Sequence, residues 1–316
     1  MNSGFILTRC GITLYLFLLL AGSAYAGESP SPIVHEDNSY DLVKEEEEST
    51  GEIPAIKLNS GSKLVLFPRG DIYPHYIADP HRVGFGFQRL QVLETGIEDS
   101  GTSRYNLKAG GRFGLLRVSG ADSDWQLNIE AGLDAQFDTD HSYDCIGWDG
   151  NYGLLMTRAS PLDYSIKFGV LHLSSHVGDE YAERTGHKRI EYTRHEMVAG
   201  LSFAIDKYWL IYSEAGWGYE LRNKNIQEPG RLQVGLQYED AGSLWQGRMG
   251  WYSALDLSAM EERDWHVDTA VQLGLLFNSG DRTWRLGIEY YEGRPTLGEF
   301  FRYTERYISL ALWLDL

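Results

Sequence analysis

Asp124–Asp138, DWQLNIEAGLDAQFD, decides the fold class. Trp125, Leu127, Ile129, Ala131, Leu133, Ala135 and Phe137 alternate with Gln126, Asn128, Glu130, Gly132, Asp134 and Gln136. A period of two sustained over such a length is a strand with one apolar and one polar face. The alternation returns at 267–277, at 308–316, and across 209–221, 231–239, 245–256 and 284–292. Segments of about ten residues, apolar on one side and polar or glycine on the other, are the signature of a transmembrane barrel. A water-soluble sandwich would use shorter strands and a drier inner face.

Connection lengths support closure. About twelve strands begin near Arg82, Tyr105, Asp124, Gly150, Leu162, Ile190, Tyr208, Arg231, Leu244, Trp265, Arg282 and Tyr303. Short connections (119–123, 160–161, 206–207, 240–243, 279–281) alternate with long ones (95–103, 139–148, 175–189, 222–230, 258–264, 293–302). Tight turns on one side and longer loops on the other are the habit of outer-membrane barrels, the short side being periplasmic. The expected fold is therefore all-β: a closed antiparallel transmembrane β-barrel of about twelve strands with a periplasmic N-terminal segment. Glu130, Asp134, Lys167, Glu214, Arg248, Arg285 and Glu289 would then point into the lumen, as a satisfied polar core or the lining of a narrow pore.

Ahead of the barrel, three segments are expected. Residues 1–26 read as a signal peptide: a short apolar run at 11–20 precedes the small-x-small site Ala24-Tyr25-Ala26. The chain would thus be exported and lodge in the cell outer membrane. Residues 27–62 are a Glu-rich flexible linker. Residues 63–81 carry Pro68, Pro74 and Pro80 among apolar residues, an ordered lead-in lying below the barrel or plugging it, and 82–316 form the barrel. A net charge of -17 argues against nucleic-acid binding. Loss of the leader would leave Cys145 without a disulfide partner.

One strand stands apart. Tyr164, Ile166, Phe168 and Val170 form an apolar face whose phase continues to His172 and Ser174. If that face meets lipid, a base and a hydroxyl nucleophile face the membrane, the first pair of a nucleophile–base arrangement. The next strand offers Glu191 as a group to orient the imidazole. Two other readings stand beside this one. His172 and Ser174 would serve equally as interfacial polar residues, and His172, His176, Asp179 and Glu180 as a structural metal site.

The motifs FPRG (67–70) with ADP (78–80), and HLSSHVGDEY (172–181), resemble an uncharacterised family of Gram-negative envelope proteins known only as a domain of unknown function. Residues 172–194 are also similar to outer-membrane phospholipase A. That resemblance implies a lipid ester hydrolase acting at the outer leaflet, with Ser174 as nucleophile and His172 as base. It further implies calcium near Asp179 and Glu180, membrane lipid as partner, and association into a homodimer. This chain departs from the pattern by placing Ser175-His176 after the serine, where that family has Asn-Gly, and Arg189 where it has its asparagine. Glu191 takes the orienting role only by inference. The alternative is a non-catalytic envelope barrel, a narrow pore or a structural protein.

Overall fold

The structure is a computed structural model and describes residues 56–57, 62–279 and 282–315. The expected signal peptide, and the acidic linker apart from 56–57 and 62, lie outside these residues. Twelve antiparallel strands close into a barrel: β3 (Phe85–Thr95), β4 (Ser103–Ser119), β5 (Asp124–Asp138), β6 (Asp144–Ala159), β7 (Tyr164–Val177), β8 (Thr193–Ala204), β9 (Trp209–Leu221), β10 (Gly230–Leu244), β11 (Met249–Met260), β12 (Val267–Ser279), β13 (Arg282–Gly293) and β14 (Glu305–Asp315). Each pairs with its neighbour in sequence, and β14 pairs back onto β3, with Leu310 opposite Arg89 and Leu314 opposite Phe85. The strand starts agree with the sequence pattern to within three residues, except that β6 begins at Asp144 rather than near Gly150 and β11 at Met249 rather than near Leu244. Arg248 differs: it is exposed in the β10–β11 connection, because a 3-10 turn at Trp245–Gly247 carries the chain round before β11 begins.

Period two fixes the two faces of the wall. Phe87, Phe113, Ile129, Phe168, Val170, Met197, Leu201, Ile211, Leu273, Ile288, Leu310 and Leu312 are exposed outward, and their neighbours in sequence face inward. An outer band this apolar is stable only against hydrocarbon.

The lumen is filled rather than open. β1 (Ile56–Lys57) pairs with β2 (Lys63–Leu66), and β2 pairs with the end of β4 that β3 does not reach. At Pro68 the chain leaves the wall. Asp71 then meets Arg112 at 2.6 Å, and the Tyr76 ring stacks on Tyr212 with centroids 3.8 Å apart and planes within 4°. Tyr212 in turn lies over Gly235, where a Cβ would stand 2.1 Å from its ring, so only glycine leaves room for the stack. Around this lead-in, Lys167 pairs with Glu214 (2.5 Å), Glu214 with Arg231 (2.5 Å), and Arg231 with Glu196 (3.0 Å). Each charge has a partner, as a dry interior requires. A cavity of about 140 Å³ remains beside the lead-in, lined by His75, His81, Arg194 and Arg231 among others.

The mouth at the long-loop end is closed from above. Residues 294–301 are buried, and Leu297 and Phe300 pack with Ile97, Ile146, Val177 and Tyr181. Tyr181 lies on the short helix α1 (Asp179–Thr185) and donates to the Glu98 carbonyl at 2.6 Å. Burial pushes its pKa up to about 12, so it remains a neutral donor. Ser175 ties the loop to the wall: its Oγ donates to Asp149 and accepts from the Glu299 N–H at 2.7 Å, while the Gly298 N–H donates to Asp149 at 3.0 Å. The Glu299 carboxylate accepts from the backbone N–H groups of Ile190 and Tyr192.

Two outcomes are expected from this packing. Arg104 and Glu305, both 0% exposed, pair at 2.7 Å across the seam strand β3. Glu305→Gln strands a buried guanidinium and should lower unfolding stability by about 3–5 kcal/mol. Urea titration of the detergent-solubilised barrel, followed by its heat-dependent gel mobility, measures the loss. Ser175→Val removes the hydroxyl between Asp149 and the loop, and should cost about 1–3 kcal/mol. Protease cleavage within 294–304 should accelerate in the same variant.

Candidate functional site

The apolar outward run of β7 ends at Val170, and that of β8 ends at Met197. The next outward position on each strand is a histidine. His172 and His195 stand directly opposite in the β7–β8 register, as do Ser174 and Thr193. On the other flank β6 sets Tyr152 opposite His172 and Gly150 opposite Ser174. Tyr164 to Ser174 is ten residues, roughly 33 Å of strand. A tilt of about 40° reduces this to a height of about 25 Å, the height of a barrel's apolar band. Ser174 therefore lies at the margin of the band nearest the long loops. Trp148, Tyr152, Trp217 and Tyr219 gather at that level, as interfacial aromatics do.

The His172 ring is held from both sides. It stacks on Tyr152 with centroids 4.4 Å apart, and its Nδ1 lies 3.2 Å from His195 Nε2. Tyr219 continues the row at 6.0 Å from His195. His172 and Ser174 share the outward face, yet no hydrogen bond joins them. His176 stacks on Trp148 at 4.2 Å, one step further out.

The remaining expected residues lie elsewhere. Glu191 precedes β8 with a positive φ of 55°, its carboxylate 64% exposed and paired with Arg222 at 2.6 Å. It does not reach His172; His195 occupies that place. Asp179, 71% exposed, is paired with Arg189, and Glu180 follows it in the first turn of α1. Among the described residues no three His, Cys, Asp or Glu side chains converge to hold a metal ion. A site for calcium needs six or more oxygens, and an arginine-paired carboxylate on an exposed helix start does not fit it. Cys145 is buried within β6, its thiol facing the Gly147 carbonyl, so it is no surface nucleophile.

His195 was within reach of sequence reading. Continuing the β8 phase back from Met197 puts it outward, but its partnership with His172 depends on register, which alternation does not set.

Comparison with solved structures returns outer-membrane barrels. Outer membrane phospholipase A from Escherichia coli superposes with a TM-score of 0.52 at 12% identity, over 74% of this chain and 93% of that one. The Salmonella typhi outer membrane phospholipase dimer with bound calcium gives 0.53 at 12% identity, over 77% and 95%. At such identity the likeness is one of fold. Curated protein sequences give no match. The family model described as protein of unknown function (DUF1207) matches residues 32–314, and the chain belongs to that family.

Proposed function

We propose that this protein is a lipid ester hydrolase of the outer membrane, with Ser174 as nucleophile and His172 as general base. The observation that carries the reading is the placement of both side chains on the lipid-facing wall at the band margin, where the ester bonds of a bilayer lipid lie. Acyl chains would run down the grooves beside Val170 and Met197, bringing a carbonyl carbon level with Ser174.

The steps balance without a metal. His172 Nδ1 is engaged by His195, which leaves Nε2 for the hydroxyl. Ser174 Oγ attacks the ester carbonyl as its proton passes to His172 Nε2. The tetrahedral intermediate collapses, the C–O bond to the lysolipid breaks, and His172 returns the proton to the leaving alkoxide. Water then attacks the acyl-serine as His172 takes its proton, and when the Oγ–C bond breaks His172 returns that proton to Ser174 as the fatty acid departs. The Ser174–His172 hydrogen bond forms on substrate binding, since such contacts are often loose before a substrate is present.

The filled lumen disfavours the narrow pore. Lead-in residues occupy its interior and residues 294–301 its mouth. The clamped His172 ring is the feature that a purely structural barrel would share.

Purified protein in mixed micelles should release fatty acid from phospholipid or lipid A, and Ser174→Ala should lower the rate by about 10³-fold or more. Glu191→Ala should retain the wild-type rate, because an exposed ion pair with Arg222 is worth at most about 1 kcal/mol. A wild-type protein inert toward both lipid classes, correctly folded by heat-dependent gel mobility, would leave the scaffold reading standing.

A further inference from the structure

We infer that His195 is the positioning residue of this site and that its protonation switches the base off. The inference rests on the hydrolase reading and adds its regulation. The two imidazoles face each other across β7 and β8, with Nδ1 of His172 and Nε2 of His195 3.2 Å apart. Their rings meet edge to face at 4.5 Å, and Tyr152 backs His172 from the β6 side.

Two nitrogens at this separation share a single proton. For His172 to accept the Ser174 proton at Nε2, its own proton must sit on Nδ1. That N–H must then donate to the Nε2 lone pair of a neutral His195, whose proton is on its outer nitrogen, Nδ1. Once His195 is protonated, both its nitrogens are donors. His172 Nδ1 must turn acceptor, its proton moves to Nε2, and it can no longer take one from Ser174. The other groups facing the pair do not replace this control. β6 supplies Tyr152, β9 supplies Tyr219 and the exposed Glu220 opposite His195, and the β7 and β8 neighbours Val170, Ser174, Thr193 and Met197 carry no charge. Glu191, the loop carboxylate that precedes β8, is held by Arg222.

The pair would therefore make lipid hydrolysis depend on external pH through the protonation of the two imidazoles. Activity would be lost toward acid pH, as either ring takes up an additional proton.

His195→Gln and His195→Phe separate the roles. Glutamine presents an oxygen near the position of Nε2 that accepts from His172 Nδ1–H at every pH. It should keep kcat within about 10-fold while moving the acid limb of the kcat profile to lower pH, because only His172 then titrates. Phenylalanine keeps the packing but accepts nothing, so kcat should fall by at least about 10²-fold with KM little changed. A Gln variant whose acid limb coincides with that of the wild type overturns the inference, even if the Phe variant fails to assemble. So does a Phe variant as active as the wild type. Ser174→Ala, assayed alongside, separates the levels: activity that survives it removes the hydrolase reading itself, whereas activity lost there but indifferent to His195 removes only the switch.

Discussion

A backbone amide without a partner cannot be left in hydrocarbon, and that constraint shapes everything in this molecule. Each unpaired N–H or C=O in the membrane interior costs several kcal/mol, so a sheet that spans the membrane must have no open edge. The β3–β14 ladder meets this demand, running from Glu305 opposite Thr95 to Leu314 opposite Phe85 with one bulge. β3 is shorter than β4, and β2 pairs with Leu116–Ser119 of β4, beyond the Ser103–Lys108 stretch that pairs with β3. The buried Arg104–Glu305 pair joins the strands on either side of the seam. Closing the wall also defines an inside, and the inside then has to be filled. Lead-in, charge network and capping loop are the means.

The site sits where these demands relax. At the margin of the apolar band a strand's outward face passes from acyl chains to headgroups, so histidine and serine are tolerated there as they would not be near Phe168. Ser174 and Ser175 show how closely wall and interior are coupled. The first stands on the outer face beside Gly150, and the second, buried, grips Asp149 and the loop at Glu299. The position of the outward hydroxyl is thus fixed by polar contacts made on the other side of the same strand.

Much of this was legible from alternation alone. Strand positions, the division into long and short connections, and the outward phase of His172 and Ser174 follow from local pattern, because period two leaves a trace in every segment. Pairings between distant residues leave none. Glu191 shares the alternation of β8 on paper, but a positive φ ends that phase before the strand begins, and Arg222 from the next loop claims its carboxylate. Arg189 likewise claims Asp179. Arg248, placed in the lumen by extrapolating a strand, lies in a turn whose 3-10 geometry resets the count. The His172–His195 partnership required the register itself.

The opposite orientations of the two adjacent serines bear on how this family can change its length. One extra residue between Val170 and His172 would exchange the faces of everything beyond it, sending Ser174 inward and Ser175 out among lipid headgroups. Insertions or deletions along that span are compatible with the present arrangement only in twos, or where a bulge absorbs the odd residue. Descendants of this sequence can lengthen the connection between Gly186 and Arg189, outside the buried Tyr181 and the amides that Glu299 holds, but without a bulge they can alter the strand before it only by even steps.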